Sequence, residues 1–371
     1  MEKDLSPLFL FIGVIVGAGV LGLPKAVVSA GWLGSAILML VGAAALYLGA
    51  LMLAEMSIKI KQKKHIAEII QHYFPFGGNV LGFVFLFTVM YAALTAYIIG
   101  SGDQINSMLS LDKRMGSLLF FVLAAIPVLM GLQITADVAV VIGIVMLLAL
   151  LAIVVVSLTA FNLNNLPVFS TDPAALTGLF SVALFALFGH NVIPEITWLC
   201  EGKKDRIRKV IGIGLLVPLI SYLLFGIVVA GVLGQNVTDV GTVGLANVFG
   251  SWVGVVISLF AVAAMYTSFI GIAISMRHVY TKDFGLPIWA ALLLILLPPL
   301  LLYGLDTERS FLGWIGDVGG RMLNLFMILV ASAYLYGIHT RKIKPTMVPM
   351  PMLSAAAVII LYAANLVLSF L

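Results

Sequence analysis

Residues Gly17 to Pro24 read G-A-G-V-L-G-L-P inside an apolar run that begins at Leu5. Each glycine weakens a helix interior by roughly 1 kcal/mol relative to alanine. Gly17, Gly19 and Gly22 fall within six residues. Where such a helix opens, amide N–H groups are left at the start of its outer half, and the dipole there favours an anion. The carbonyls that end the inner half suit an ammonium group or Na⁺. One break therefore offers partners to both ends of a zwitterion from backbone alone. The plain structural reading is packing, since Gly13 and Gly17 form a G-x-x-x-G helix-contact pattern. The crowding of glycines ahead of Pro24 favours the break.

A second constellation is F-G-H-N-V-I-P-E-I, residues 188–196. Ionisable side chains inside a span are costly and suggest function. Pro194 cannot donate a backbone hydrogen bond, so the chain near Asn191 is expected to open. The structural reading is that His190 and Glu195 fasten loose backbone. The functional reading gives substrate contact to the region of His190, and a proton-linked or gating role to Glu195 as a buried carboxyl with a raised pKa.

Further along, Ala264, Thr267, Ser268, Gly271 and Ser275 recur at spacings of three and four. They form either a small-residue packing seam or, through the hydroxyls of Thr267 and Ser268, part of an oxygen cage for Na⁺. Asp317, Arg321 and Asn324 share another face. Asp317 and Arg321 either pair with each other, or one of them meets Lys25 and gates an outer vestibule. Tyr91 and Tyr97 are candidate pocket liners. Glu55, Asp103 and Asp137 lie near span ends, where snorkelling is cheap, and are assigned no role. The remaining histidines form no metal-ligand pattern.

The elements that position these residues are membrane helices. The chain has 371 residues, is 62% hydrophobic and only 10% charged, with a mean hydropathy of +1.18. That is an all-α polytopic membrane protein. Its single cysteine, Cys200, excludes a disulfide framework and a cysteine-based metal centre. The net charge of +4 reflects topology rather than nucleic acid. Apolar runs place eleven spans near 5–30, 33–58, 78–102, 115–132, 137–161, 174–200, 207–234, 248–278, 286–304, 311–338 and 350–370. Between the second and third, Ile66, Ile69, Ile70 and Phe74 mark a short helix on the inner surface. With the N-terminus cytoplasmic and the C-terminus outside, 15 of the 20 basic residues fall on the cytoplasmic side, among them Lys3, Lys61, Lys63 and Lys64. The G-x-x-x-x-P of Gly19–Pro24 recurs at Gly189–Pro194, 170 residues and five spans later. An odd number of spans inverts the second copy, and inverted repeats with a broken helix each place a substrate site between them.

The stretch G-A-G-V-L-G-L-P-K-A-V-V-S-A-G-W-L-G resembles the first-helix signature of the amino acid/auxin permease family, within the amino acid–polyamine–organocation (APC) superfamily. F-A-L-F-G-H-N-V-I-P-E-I resembles its sixth-helix signature. T-S-F-I-G is similar to a segment of its bacterial aromatic amino acid permeases. The resemblance implies the 5+5 inverted-repeat (LeuT-like) fold of sodium-coupled leucine transporters, with helices 1 and 6 discontinuous and one extra C-terminal helix. The first repeat would span 1–162, the second 163–344, and the added helix 345–371. It implies a substrate site at Gly17, Ala18, Gly19, Val20, Phe188, Gly189, His190 and Asn191. It implies a second-sodium-type cation site at Gly13, Val16, Ala264, Thr267 and Ser268. Two departures stand out: the fifth span lacks the lysine of some proton-coupled relatives, and the outer-gate arginine is missing, with only Lys25 nearby.

The expectation is a secondary active transporter in the plasma (inner) membrane, not an enzyme, carrying a neutral amino acid, aromatic or branched chains included, with Na⁺ or H⁺ by alternating access. It needs no cofactor, and its partners are the amino acid, the cation and the bilayer. The alternatives are an amino-acid sensor, which would call for a partner-binding extension, and a channel, against which the lack of charged rings argues.

Overall fold

The computed structural model describes residues 5–60, 66–131, 136–306 and 308–370. Lys3, Lys61, Lys63, Lys64 and the side chain of Asp137 lie outside the described part. Sixteen α-helices follow in chain order: α1 (Ser6–Ile15), α2 (Leu23–Ala30), α3 (Trp32–Lys59), α4 (Ile66–Tyr73), α5 (Gly78–Leu109), α6 (Lys113–Leu129), α7 (Ala136–Ser157), α8 (Pro173–Leu187), α9 (Ile193–Leu199), α10 (Lys204–Leu233), α11 (Leu245–Phe249), α12 (Ser251–His278), α13 (Ile288–Leu305), α14 (Phe311–Gly313), α15 (Arg321–His339) and α16 (Pro351–Leu368). Ten stretches among the described residues are long and apolar enough to cross a membrane. At 17 residues α6 reaches the lower end of the spanning range and makes the eleventh.

The first and sixth spans are broken. In the first, α1 stops at Ile15, Val16 and Gly17 are extended, and a 3₁₀ turn over Ala18–Gly22 leads into α2. In the sixth, α8 stops at Leu187, Phe188 is extended, and a 3₁₀ turn over His190–Val192 leads into α9. Pro24 and Pro194 each sit in the first turn of the helix that restarts. There the missing N–H costs nothing, because that amide has no intrahelical partner anyway. Each proline thus starts the second half-helix, and the glycines end the first.

Those glycines are required by close approach. A Cβ on Gly19 would fall 2.9 Å from Ala186 Cα, and one on Gly189 would fall 2.7 Å from the Phe11 ring and 2.8 Å from Ile15. Each broken span therefore makes room for the other. Gly13 packs on α7, where a Cβ on Gly143 would stand 2.6 Å from Gly13 Cα.

The short helix α4, expected on the inner surface, packs its apolar face on neighbouring helices. Ile66, Ile69, Ile70 and Tyr73 are buried against α5 and α15, and the Tyr73 hydroxyl donates to the Met56 carbonyl at 3.0 Å. Its amphipathic face is used on protein.

Glu55 also departs from expectation. It is 2% exposed and holds the segment between α15 and α16. Its carboxylate accepts from the Tyr334 hydroxyl at 2.6 Å, the Thr346 hydroxyl at 2.7 Å, the Met347 amide at 3.0 Å and the Thr346 amide. Arg208 of α10 donates to the Thr346 and Met347 carbonyls. The segment is thereby strapped across the ends of α3, α10 and α15. Glu55→Ala strands these donors in a buried setting, at about 1–3 kcal/mol. We expect a lower thermal midpoint for the purified protein and faster proteolysis within 341–350; wild-type values for both would contradict the strap.

Candidate functional site

A cavity of about 340 Å³ lies between the two breaks and the helices α5 and α12. Its size falls in the roughly 300–1,000 Å³ range of small-molecule sites. Val16, Gly17 and Gly19 line it from the first break, and Phe188, Asn191 and Val192 from the second. Val89, Met90, Ala93 and Tyr97 of α5 line it together with Thr267, Ser268, Gly271 and Ile272 of α12, the helix packed beside α5. Among the described residues, no charged side chain and no histidine lines it.

The cavity is closed on the side of α2. Gly22 is roofed by Leu312 and Ile315, Gly100 by Phe311 and Met265, and the Phe185 ring lies against Gly19 and Gly319. Phe311 and Ile315 are fully buried. In the other direction the lining continues along Gly13 and Val14 of α1, Leu86 of α5, Ile142 of α7, and Ile274 and Ser275 of α12. Asn191 and Ser275 are exposed. The opening thus faces the end of the bundle where α1 begins.

Three backbone groups at the first break are already engaged. The Gly17 amide donates to the Tyr222 hydroxyl at 3.3 Å, and that hydroxyl donates to the Ile15 carbonyl at 2.8 Å. The Ala18 amide donates to Ser268 Oγ at 3.3 Å, with the Tyr97 hydroxyl beside the same Ser268. Gly19 lines the cavity in the first turn of the 3₁₀ segment, where an amide has no preceding carbonyl within reach.

The remaining expected residues are distributed as follows. Gly13, Val16, Thr267 and Ser268 gather on the cavity wall. Ala264 is buried beside them, and its carbonyl accepts from the Thr267 hydroxyl at 3.2 Å. Val20 and Ala18 are buried with their side chains off the cavity, and Gly189 lies against Phe11 and Ile15. His190 is 1% exposed and turns away, with Nε2 3.0 Å from the Leu46 carbonyl and its ring stacked on Phe188 at 5.0 Å. Glu195, expected to be buried, stands exposed on the first turn of α9. A carboxylate there suits the helix dipole. Arg321 donates to the Ser369 carbonyl at 2.8 Å and covers the Phe370 ring. Among the described residues, neither Lys25 nor Asp317 enters an ion pair with the other or with Arg321. Tyr91 bonds to Tyr280 and the Leu294 carbonyl, off the cavity.

Sequence reasoning missed Tyr222 and Glu55. For Tyr222 a signal exists: Gly214, Pro218, Tyr222 and Gly226 repeat every fourth residue on one face of α10.

The fold has counterparts among solved structures. MhsT in complex with L-phenylalanine superposes with a TM-score of 0.67 at 14% identity, covering 100% of this chain and 98% of that one. A mutant of the Eremococcus coleocola manganese transporter gives 0.59 at 12% identity, covering 98% and 88%. At the level of sequence, the tyrosine-specific transport system 1 of Haemophilus influenzae is 26% identical over 295 residues, 74% of this chain and 72% of the relative. Glutamine transporter 2 of Aliivibrio fischeri is 25% identical over 278 residues, 72% of each. The sequence model of the tryptophan/tyrosine permease family matches residues 2–364. This corrects the expected amino acid/auxin permease membership. The broken-helix motifs behind that expectation answer to the physics of the fold, which is wider than one family. With nearly its whole length matched, the chain belongs to the tryptophan/tyrosine permease family.

Proposed function

We propose that the protein is a secondary active transporter of neutral amino acids, with large and aromatic side chains preferred. The observation that carries this is a cavity that, among the described residues, has no charged side chain in its lining and is set against two open stretches of backbone. A zwitterion's carboxylate and ammonium find partners in the amides and carbonyls of the breaks. An ionised side chain on the substrate would find none, and desolvating it unpaired is costly. Phe185, Phe188, Val89, Met90 and Ile272 instead offer apolar and aromatic surface. Tyrosine and glutamine, the amino acids for which these relatives are named, both have uncharged side chains.

The coupling ion in this reading is Na⁺. Carbonyls of Gly13, Val16 and Ala264 and hydroxyls of Thr267 and Ser268 supply the hard oxygen ligands such a cation prefers. The cavity lining holds no carboxyl or imidazole among the described residues to carry a proton. The excess of lysine and arginine puts the α1 start in the cytoplasm of a cell whose inner membrane holds the protein. The opening beside Ser275 then faces inward, and the roof of Phe311, Leu312 and Ile315 is the closed outer gate. A bundle containing the first and sixth spans rocks against the third, fourth, eighth and ninth to exchange these states. The division into repeats 1–162 and 163–344 with an added helix over 345–371 is supported by the two breaks, each in the first span of its half.

Purified protein in liposomes is expected to accumulate tyrosine, tryptophan, phenylalanine or glutamine under an inward Na⁺ gradient, and not lysine or glutamate. Absence of gradient-driven uptake of any amino acid would sink the transport reading. Uptake driven by a proton gradient alone would remove the Na⁺ assignment. Thr267→Ala/Ser268→Ala is expected to lower the apparent Na⁺ affinity at least roughly tenfold, the loss of one or two ligands worth above 1.4 kcal/mol; unchanged Na⁺ dependence would contradict the cage. Gly19→Val, which drives a side chain into Ala186, is expected to abolish uptake with the protein still in the membrane.

A further inference from the structure

Helix α10 runs along both halves of the broken first span. A Cβ on Gly214 would fall 2.6 Å from the Phe11 ring of α1, and one on Gly226 would fall 3.2 Å from Val27 of α2. Between these two close approaches, on the same face, stands Tyr222. It is 0% exposed and does not line the cavity. Its hydroxyl is the group that enters the gap, accepting from the Gly17 amide and donating to the Ile15 carbonyl. An intact helix would pair those backbone groups along its own axis; here a side chain from another helix pairs them across it.

From this we infer that Tyr222 is a positioning residue, and α10 a splint: the Tyr222 hydroxyl holds the first span open in the register that turns the Gly19 amide toward the cavity. This rests on the transport reading for its ligand, an amino acid whose carboxylate meets that backbone. Three features support a positioning role beyond satisfaction of a buried phenol. The hydroxyl bridges the two groups on either side of the extended residue Val16, so it fixes the distance across the break. The Gly17 amide is occupied by it and is withdrawn from the set of donors a carboxylate could use. The glycines at 214 and 226 seat α10 on rigid helix on both sides, so the phenol cannot follow a wandering backbone.

The test removes one oxygen. Tyr222→Phe keeps the ring and its packing but leaves Gly17 N–H and Ile15 C=O unpaired. In purified full-length protein, we expect the dissociation constant for the best amino acid substrate to rise roughly ten- to hundredfold, the range set by losing a buried hydrogen-bond bridge. Ser221→Ala, whose hydroxyl bonds only to its own helix at Val217, is expected to bind as wild type does. A merely structural role would lower the thermal midpoint of Tyr222→Phe and leave affinity within twofold of wild type; that outcome overturns the proposal. A second arm needs no variant. Hydrogen exchange in the unliganded wild-type protein should show the Gly17 amide protected, whereas exchange at the rate of free backbone overturns the splint. If wild-type protein binds no amino acid at all, the transport reading fails, and the exchange arm still decides whether Tyr222 holds the break.

Discussion

A peptide group freed from a helix within the bilayer has no water to bond to, and each one left bare costs several kcal/mol. A chain that opens two helices at that depth must supply partners for every exposed amide and carbonyl, or leave them for a cargo. Here Tyr222 takes Gly17 and Ile15, Ser268 takes Ala18, and Leu46 meets the imidazole beside the second break. Gly19, Phe188 and Asn191 of the two breaks line a cavity that, among the described residues, no charged side chain enters. The proposed preference for a zwitterion with a neutral side chain rests on that division.

The same constraint arranges the helices around the breaks. Two extended segments can lie side by side only where side chains are absent, which is why Gly19 abuts Ala186 and Gly189 abuts Phe11 and Ile15. Ser268 has a special place because it belongs to α12 and yet bonds to the first break. The hydroxyl that would ligate a cation thus already touches the backbone that would bind a carboxylate. In the proposed transport cycle, binding of either partner at that point would bear on the other through one oxygen, a coupling that needs no long pathway.

Much of this was legible in the residues. Glycines ending a half-helix and a proline starting the next are local backbone chemistry, so Gly17–Pro24 and Gly189–Pro194 announced the breaks. Small and hydroxyl residues at spacings of three and four located the α12 wall. Direction was not legible. The motif makes His190 a candidate for substrate contact, but only packing shows it turning to Leu46 rather than to the cavity. Glu195 follows Pro194 in the restarted helix, and that turn sets it outside. Arg321 and Asp317 stand four residues apart, but the carbonyl of Ser369, just past the end of α16, takes the guanidinium. Glu55 looked like a span-end acid because its partners, the amides of Thr346 and Met347, lie almost three hundred residues away. Tyr222 could not be linked to a break whose loose groups exist only once the helix opens. The family was not legible because the motifs that carry the resemblance serve the broken-helix fold as a whole.

The central claim is that an amino acid occupies the cavity between the two breaks. Ile272 lines that cavity, and the single native cysteine, Cys200, is fully buried. The direct measurement is the alkylation rate of Ile272→Cys in a Cys200→Ser background, with and without the transported amino acid. The account predicts that the amino acid slows alkylation in step with its occupancy of the transport site. An alkylation rate unchanged at concentrations that saturate uptake would contradict it.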